Sequence, residues 1–332
     1  MAHCFAKDDA VGTVCEIAPG VTGVNAPFWG FPNTIYVIES AGRLAIVDTG
    51  IAETPAAALD AYIHGRGGYD SIDLIVGTHA HLDHIGGNAW FAARAPHVKF
   101  ALGAEDVGWA EEPRRHYRQL YELGSPGAWQ PDADTAAQIQ RGIGDGSRID
   151  IPLYGGEDLR FGGGRTLRAI ALGAHTRGQT AYLDTETGCL FTGDAIQGAG
   201  IMNDETGTRD FPMFGSLREY RRSIERILAT DFVLLCTAHA GVYEATAGRA
   251  FAAEALAFAE SLVTVVAGHA ARLGDFSLEQ LVSAYLADAA EYADGLQIRV
   301  TLSELANDLV AQGRLQPRID HDGEKRWAIT AR

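Results

Sequence analysis

The segment Thr78-His79-Ala80-His81-Leu82-Asp83-His84 packs three histidines and an aspartate into six positions, directly after the apolar run Ile72-Asp73-Leu74-Ile75-Val76. That run predicts a buried strand, so the chain has to deliver four metal-competent side chains from a strand end into one tight loop. His79 and His81 stand two apart and project to the same side of an extended segment, whereas Asp83 and His84 follow as the chain turns and reach a different point. The spacing suits two ions side by side. A surface loop that is merely rich in histidine is the alternative, but the chain holds only 11 histidines in 332 residues and three of them fall here. Imidazole and carboxylate together are what zinc and its neighbours bind.

Three later turns repeat the design. His175 follows the predicted strand Thr166 to Ala171 in the turn Gly173-Ala174-His175-Thr176-Arg177-Gly178, Asp194 follows Gly188 to Thr192, and His239 follows Phe232 to Cys236. Each alone reads as a satisfied histidine or a turn aspartate; together with residues 79–84 they form one pattern. Asp48 closes the strand Leu44 to Val47 and is either a carboxylate that orients a ligand histidine or the N-cap of a following helix.

Strand, helix and strand alternate through the first hundred residues: strands over Gly12 to Ala18, Thr34 to Ser40, Arg43 to Asp48 and Val98 to Leu102, and helices over Thr54 to Gly65 and Ala89 to Arg94. The pattern is α/β. Between the first two strands, Phe28, Trp29 and Phe31 lie in a loop bracketed by Pro27 and Pro32, as a packed turn or as one wall of a pocket. Residues 103–149 break the alternation, with helices expected over Glu111 to Leu123 and Asp132 to Ile143; Trp109, Tyr117, Tyr121 and Trp129 then wall a substrate site or pin the insertion to the domain. His116 is expected at the surface, because Arg114, Arg115 and Arg118 beside it would repel a cation. From Gly248 the chain turns to alanine-rich helices, Arg249 to Leu273, Ser277 to Tyr292 and Thr301 to Gln312, before a strand at Lys325 to Thr330. The expected organisation is a catalytic domain over residues 1–247 carrying the insertion 103–149, and a helical, winged-helix-like domain over 248–332 that serves dimerisation or closure of the site.

A net charge of -16 and a pI near 5.0 argue against general attraction to nucleic acid or anionic lipid and leave small-molecule chemistry as the expected trade. Cys4, Cys15, Cys189 and Cys236 form no CxxC pair, so they are expected to be mostly reduced and buried. No basic, apolar leader and no run approaching about 18 apolar residues is seen, so a cytoplasmic location without membrane contact is expected.

With Asp48, His79-x-His81-x-Asp83-His84, His175, Asp194 and His239 in this order, the chain resembles the metallo-β-lactamase superfamily over about residues 10 to 245. The resemblance implies an αββα sandwich with two metals at one edge. It assigns His79, His81 and His175 to the first metal, Asp83, His84 and His239 to the second, Asp194 to a bridge between them, and Asp48 to a supporting position beside the metal loop. Two ions sharing a carboxylate lower the pKa of water from 15.7 to about 7 and polarise a substrate oxygen, so hydrolysis by a bridging hydroxide is the expected reaction. Asp194 and Asp83 are the expected catalytic carboxylates, Asp83 by protonating the leaving group.

His84 and the carboxylate bridge resemble the hydroxyacylglutathione hydrolase, lactonase and phosphodiesterase branches rather than the antibiotic hydrolases, which carry Cys and Arg. Gln197 stands where the lactonases have tyrosine three residues past the bridge. The expectation is therefore a binuclear hydrolase, holding Zn2+ or else Mn2+ or Fe2+, that cleaves an ester, lactone, thioester or amide-like bond of a small organic substrate. Phe28, Trp29, Phe31, Trp109, Tyr117, Gln197 and Met202 are its expected substrate walls. The alternatives are a mononuclear iron persulfide dioxygenase and a nucleic-acid phosphodiesterase of the same superfamily.

Overall fold

The computed structural model describes residues 5–6, 8–122 and 129–330. Two sheets face each other. The first runs β1 (Val14–Ala18), β2 (Val21–Asn25), β3 (Thr34–Ser40), β4 (Arg43–Val47), β5 (Ile72–Val76), β6 (Lys99–Gly103) and β7 (Ile151–Leu153) in spatial order, antiparallel as far as β4 and parallel from β4 to β7. The second contains β8 (Asp158–Phe161), β9 (Arg165–Ala171), β10 (Thr180–Asp184) and β11 (Cys189–Gly193). After a short ribbon of β12 (Ile201–Met202) and β13 (Arg209–Asp210), β14 (Leu234–Thr237) joins the second sheet parallel to β11, and β15 (Val242–Glu244) closes its edge.

Strand alternation makes the layers. On β3, Tyr36 and Ile38 face the second sheet and pack with Phe161, Leu167, Tyr182 and Phe191, while Ile35 and Val37 face outward onto Leu59, Ile63 and Phe91. The outer helices of that face are Asp60–His64, entered through a single wide turn at Pro55–Leu59, and Asn88–Arg94. On the opposite face, Leu217–Ala229 turns Leu217, Tyr220, Ile224 and Ile227 inward at helical spacing and starts from a Ser216 cap that accepts from Glu219 N. The result is an αββα sandwich with a mainly helical C-terminal extension.

Arg165 holds the sheets together from within the sandwich. It is buried, donates from Nε and Nη2 to the Asp184 carboxylate, and reaches the Glu39 carbonyl of the first sheet at 3.0 Å. Arg165→Ala would leave Asp184 buried without its counter-ion, which costs about 3–5 kcal/mol. Urea unfolding at neutral pH reads this, and a loss below about 1 kcal/mol would refute the role.

The C-terminal extension packs on the outer layer. Helix Ala245–Leu273 contributes Ala252, Ala255, Ala259, Leu262 and Val266 to one hydrophobic cluster that also takes in Ile224, Phe276, Leu302 and Trp327. It runs through residue 247, so one helix crosses the place where the sequence divides the chain. At 29 residues, with a mean hydropathy of 1.7 over its most apolar window, it is by length and composition alone long and apolar enough to cross a membrane, although Arg249, Glu254 and Glu260 interrupt its apolar residues and a packed core helix has the same composition. Helix Leu278–Asp288 carries a capping box from Ser277 and Gln280, and Leu296–Ala311 begins five residues before the helix expected at Thr301. A small sheet of β16 (Asp275–Ser277), β17 (Leu315–Ile319) and β18 (Lys325–Ile329) completes the unit.

Several expectations need correction. Strands β2, β7 and β15 were not anticipated, because each is only three to five residues long and lacks a clear period. Cys189 and Cys236 are free and buried, but Cys15 is disulfide-bonded, so the reading of reduced cysteines holds for the first two alone. Cys4 lies outside the described residues.

Candidate metal centre

Five strands of the two sheets end at one edge. Asp48 follows β4 and the residue 78–84 loop follows β5, which is parallel to it; His175, Asp194 and His239 follow β9, β11 and β14, all of which run in one direction. Close approach is built into the backbone: a Cβ on Gly193 would collide with the Thr78 side chain, and a positive φ of 50° suits glycine there.

The side chains converge in two sets. His79 Nε2 and His175 Nε2 each lie 2.9 Å from His81 Nδ1. Asp83 Oδ2 lies 3.3 Å from His84 Nε2 and 3.2 Å from His239 Nε2. Asp194 faces both sets: its Oδ1 is 3.3 Å from His84 Nε2 and 3.1 Å from His239 Nε2, and its Oδ2 is 3.6 Å from His175 Nε2. The atoms of each set lie within 4.8 Å of one another, and all seven side chains are largely buried.

Outer partners fix which nitrogen faces inward. His175 Nδ1 donates to the Met213 carbonyl at 2.8 Å and His239 Nδ1 to the Pro32 carbonyl at 2.6 Å, since a carbonyl can only accept. The Thr78 hydroxyl gives its proton to Asp48 Oδ2 at 2.9 Å and accepts from His79 Nδ1 at 3.1 Å. Neutral His79 and His175 therefore turn Nε2 lone pairs towards His81 Nδ1, an arrangement that repels itself unless a cation or a shared proton stands between them. Burial holds both of these histidines, and His81, towards the uncharged form. His84 and His239 go the other way: burial opposes their charge, but the carboxylates around each overcome it, and His239 is pushed up to about 10. A divalent ion would take the place of those protons. Edges of about 3.3 Å are what metal–ligand bonds of about 2.0–2.1 Å give in a tetrahedron, and His84 Nε2 and Asp194 Oδ1 are buried with no hydrogen-bond partner among the described residues. The residues fit metal.

Asp48 supports the loop rather than capping a helix. It holds a positive φ of 66° and accepts from Thr78 N at 2.6 Å and from His84 Nδ1 at 2.8 Å. Asp48→Ala would remove the acceptor that fixes the His84 ring, and a loss of about 10–100-fold in metal affinity is expected in chelator competition; parity with the parent protein would rule the role out.

Asp106 was not foreseen. It sits just beyond β6 and accepts from Ala80 N at 3.0 Å, Thr176 Oγ1 at 2.6 Å and Gly178 N at 2.8 Å, so it joins the loop of His79 and His81 to the loop of His175. An acid a few residues past a strand of the first sheet was the available signal. Gln197 donates to Asp194 Oδ2 at 3.1 Å and accepts from Met213 N at 2.7 Å, which steadies the carboxylate between the two sets.

Over the centre lies a cavity of about 260 Å3, reached by His81, Asp83, His175, Asp194 and His239. Phe28, Trp29, Phe31 and Gln197 line it, together with Tyr121, Trp129, Asp210, Phe211, Met213 and, unforeseen, Leu296 and Gln297 from the C-terminal extension. Three expected walls lie elsewhere. Tyr117 is buried with Ile51, Leu82 and Ile143 behind the cavity, Met202 is exposed on its ribbon, and Trp109 stacks on His116 at 5.2 Å. His116 is itself a correction: it is fully buried, 6.4 Å from the His81 ring, with neither nitrogen hydrogen-bonded among the described residues, and burial pushes it down to about 4. The amphipathic helix Pro113–Tyr121 turns Arg114, Arg115 and Arg118 to water and His116 inward, so adjacency in sequence misled.

A model of the metallo-beta-lactamase superfamily matches residues 29–239. Among curated proteins, a hydroxyacylglutathione hydrolase of Rhodospirillum rubrum is 29% identical over 191 residues, covering 57% of this chain and 57% of that protein. One from Synechococcus sp. is 27% identical over 192 residues, covering 57% and 59%. The chain thus spans less than two thirds of the length of these two relatives. Among solved structures, a metallo-beta-lactamase family protein of Thermus thermophilus superposes with a TM-score of 0.73 at 19% identity, over 95% of this chain and 100% of that one. A beta-lactamase domain protein of Burkholderia ambifaria gives 0.71 at 20% identity, over 98% and 97%. The likeness in fold therefore includes the C-terminal extension.

Proposed function

Because the chain belongs to the metallo-beta-lactamase superfamily, we propose that it is a metal-dependent hydrolase with a binuclear centre that cleaves an ester, lactone or thioester bond in a small, largely apolar substrate. The observation that carries this reading is Asp194, whose two oxygens face two separate ligand sets at the floor of one cavity. His79, His81 and His175 would hold one ion, Asp83, His84 and His239 the other, and Asp194 both. Zinc suits this mix of imidazole and carboxylate, and manganese or iron would also be accepted. Two such ions would acidify water and polarise the bond to be cut.

The chain's own residues do the rest. Phe28, Trp29 and Phe31 exclude water from one side and grip an acyl or aryl group, while Gln197 keeps Asp194 from swinging out of place. Asp83 turns Oδ2 to His84 and His239, which leaves Oδ1 to carry a proton to the leaving group. No lysine or arginine lines the cavity among the described residues, so neither a phosphodiester nor the carboxylates of a glutathione thioester would find a counter-charge beyond the centre itself. That disfavours both the nucleic-acid reading and direct transfer of the substrate for which the relatives are named. The second ligand set likewise speaks against a mononuclear dioxygenase.

The test is a panel of lactones, aryl esters, thioesters including a glutathione thioester, and phosphodiesters, assayed on protein of measured metal content. About two zinc ions per chain with turnover of carboxylic esters is expected. One iron with oxygen uptake, or turnover confined to phosphodiesters, would overturn it.

A further inference from the structure

Asp210 has no role in the chemistry above, yet it stands on the wall of the same cavity. Its Oδ2 accepts from Gln297 Nε2 at 2.8 Å, and its Oδ1 is left without a hydrogen-bond partner among the described residues. Cations that could have neutralised it are engaged elsewhere. Arg209, its chain neighbour, turns its guanidinium to the Gly200 carbonyl, and Arg299, which lies over the Trp129 ring, is held by Glu279 and Asp294. Asp210 is half-buried, so its free oxygen stays open to whatever enters the cavity, as the acceptor without a protein partner on an otherwise mainly apolar stretch of wall.

Resting on the hydrolase reading, we propose that the substrate carries a protonated amine, received by Asp210 Oδ1, while its apolar body lies between Phe28 and Leu296. The amine sits close to the bond being cut. Asp210 is near enough to Asp83 and His239 to feel their charges, and burial, the larger influence, leaves it at about 6, so it is mostly ionised at neutral pH. Gln297 and the positive end of helix Leu296–Ala311 help to keep it so. Aminoacyl esters and thioesters, with the amine beside the acyl carbon, have the required form. The C-terminal extension supplies Leu296 and Gln297, which makes it part of substrate selection.

A matched pair of substrates tests this: the 4-nitrophenyl esters of phenylalanine and of 3-phenylpropanoic acid, which differ only in the amine. With each rate divided by that ester's spontaneous hydrolysis rate, to remove the intrinsic activation by the ammonium group, the metal-loaded protein is expected to favour the amino ester in kcat/KM by at least about tenfold, and Asp210→Asn to bring this corrected ratio to about one. A purely structural role for Asp210 would lower both rates in proportion and leave the ratio intact, which would overturn the assignment, as would a ratio near one in the parent protein. Binding of 2-phenylethylamine to the full chain, followed by NMR without added metal, separates the two readings if neither ester is cleaved. A dissociation constant about tenfold weaker in Asp210→Asn would then uphold the amine site while the hydrolase reading fails; equal binding would remove the amine site.

Discussion

Asp194→Ala is expected to lower kcat/KM on any substrate found by about 10³-fold or more and to reduce bound metal below the parent's content. The magnitude follows from what one side chain does in two places. Loss of a single preorganised electrostatic group in an active site already costs about 10²–10³-fold, and Asp194 faces both candidate ligand sets. Its removal would also leave His84 and His239 with Asp83 as their remaining shared carboxylate partner within the centre. Metal analysis of the purified variant, beside its kinetics, checks the result. Two ions per chain with near-parent turnover would mean that the bridge is not where the chemistry depends on it.

The second large effect is expected in stability. Asp106→Ala would strip the acceptor from Ala80 N, Thr176 Oγ1 and Gly178 N at once, in a place where the carboxylate itself is buried. An unmet buried donor costs about 1–3 kcal/mol, so a loss of about 3–6 kcal/mol on unfolding is reasonable, even if the loops relax towards water. Metal affinity should fall as well, because both loops of the first ligand set lose their common anchor. Urea titration and chelator competition measure the two effects separately. A variant within about 1 kcal/mol of the parent would show that the loops are held by their strands alone.

The clustered histidines and aspartates were legible in the sequence as candidate ligands because each sits at the end of an apolar run, where the period changes and glycine permits the turn. His175, Asp194 and His239 needed no tertiary information beyond that repeated position. What could not be read depends on neighbours distant in the chain. Tyr117 and Tyr121, four apart, share one face of an amphipathic helix and stack at 5.8 Å, so which of them reaches the cavity is decided by where along the helix the cavity lies and not by the helical period. Leu296 and Gln297 reach the site only because helix Ala245–Leu273 packs the extension against the second sheet, a contact without local signature. Asp106 shows the intermediate case: its place past β6 resembles that of the ligands, but its partners are mostly backbone groups, which carry no sequence signal.

The seven side chains come from both sheets: His79, His81, Asp83 and His84 from the loop after β5, and His175, Asp194 and His239 from the ends of β9, β11 and β14. An ion held by His79, His81 and His175 would therefore be a cross-link between the two halves of the sandwich, closing a loop of nearly a hundred residues. In thermodynamic terms, the folded chain alone would present the complete set, so free metal would raise the unfolding temperature in proportion to the logarithm of its concentration. The supply of metal would then set how long the protein lasts as well as how fast it works.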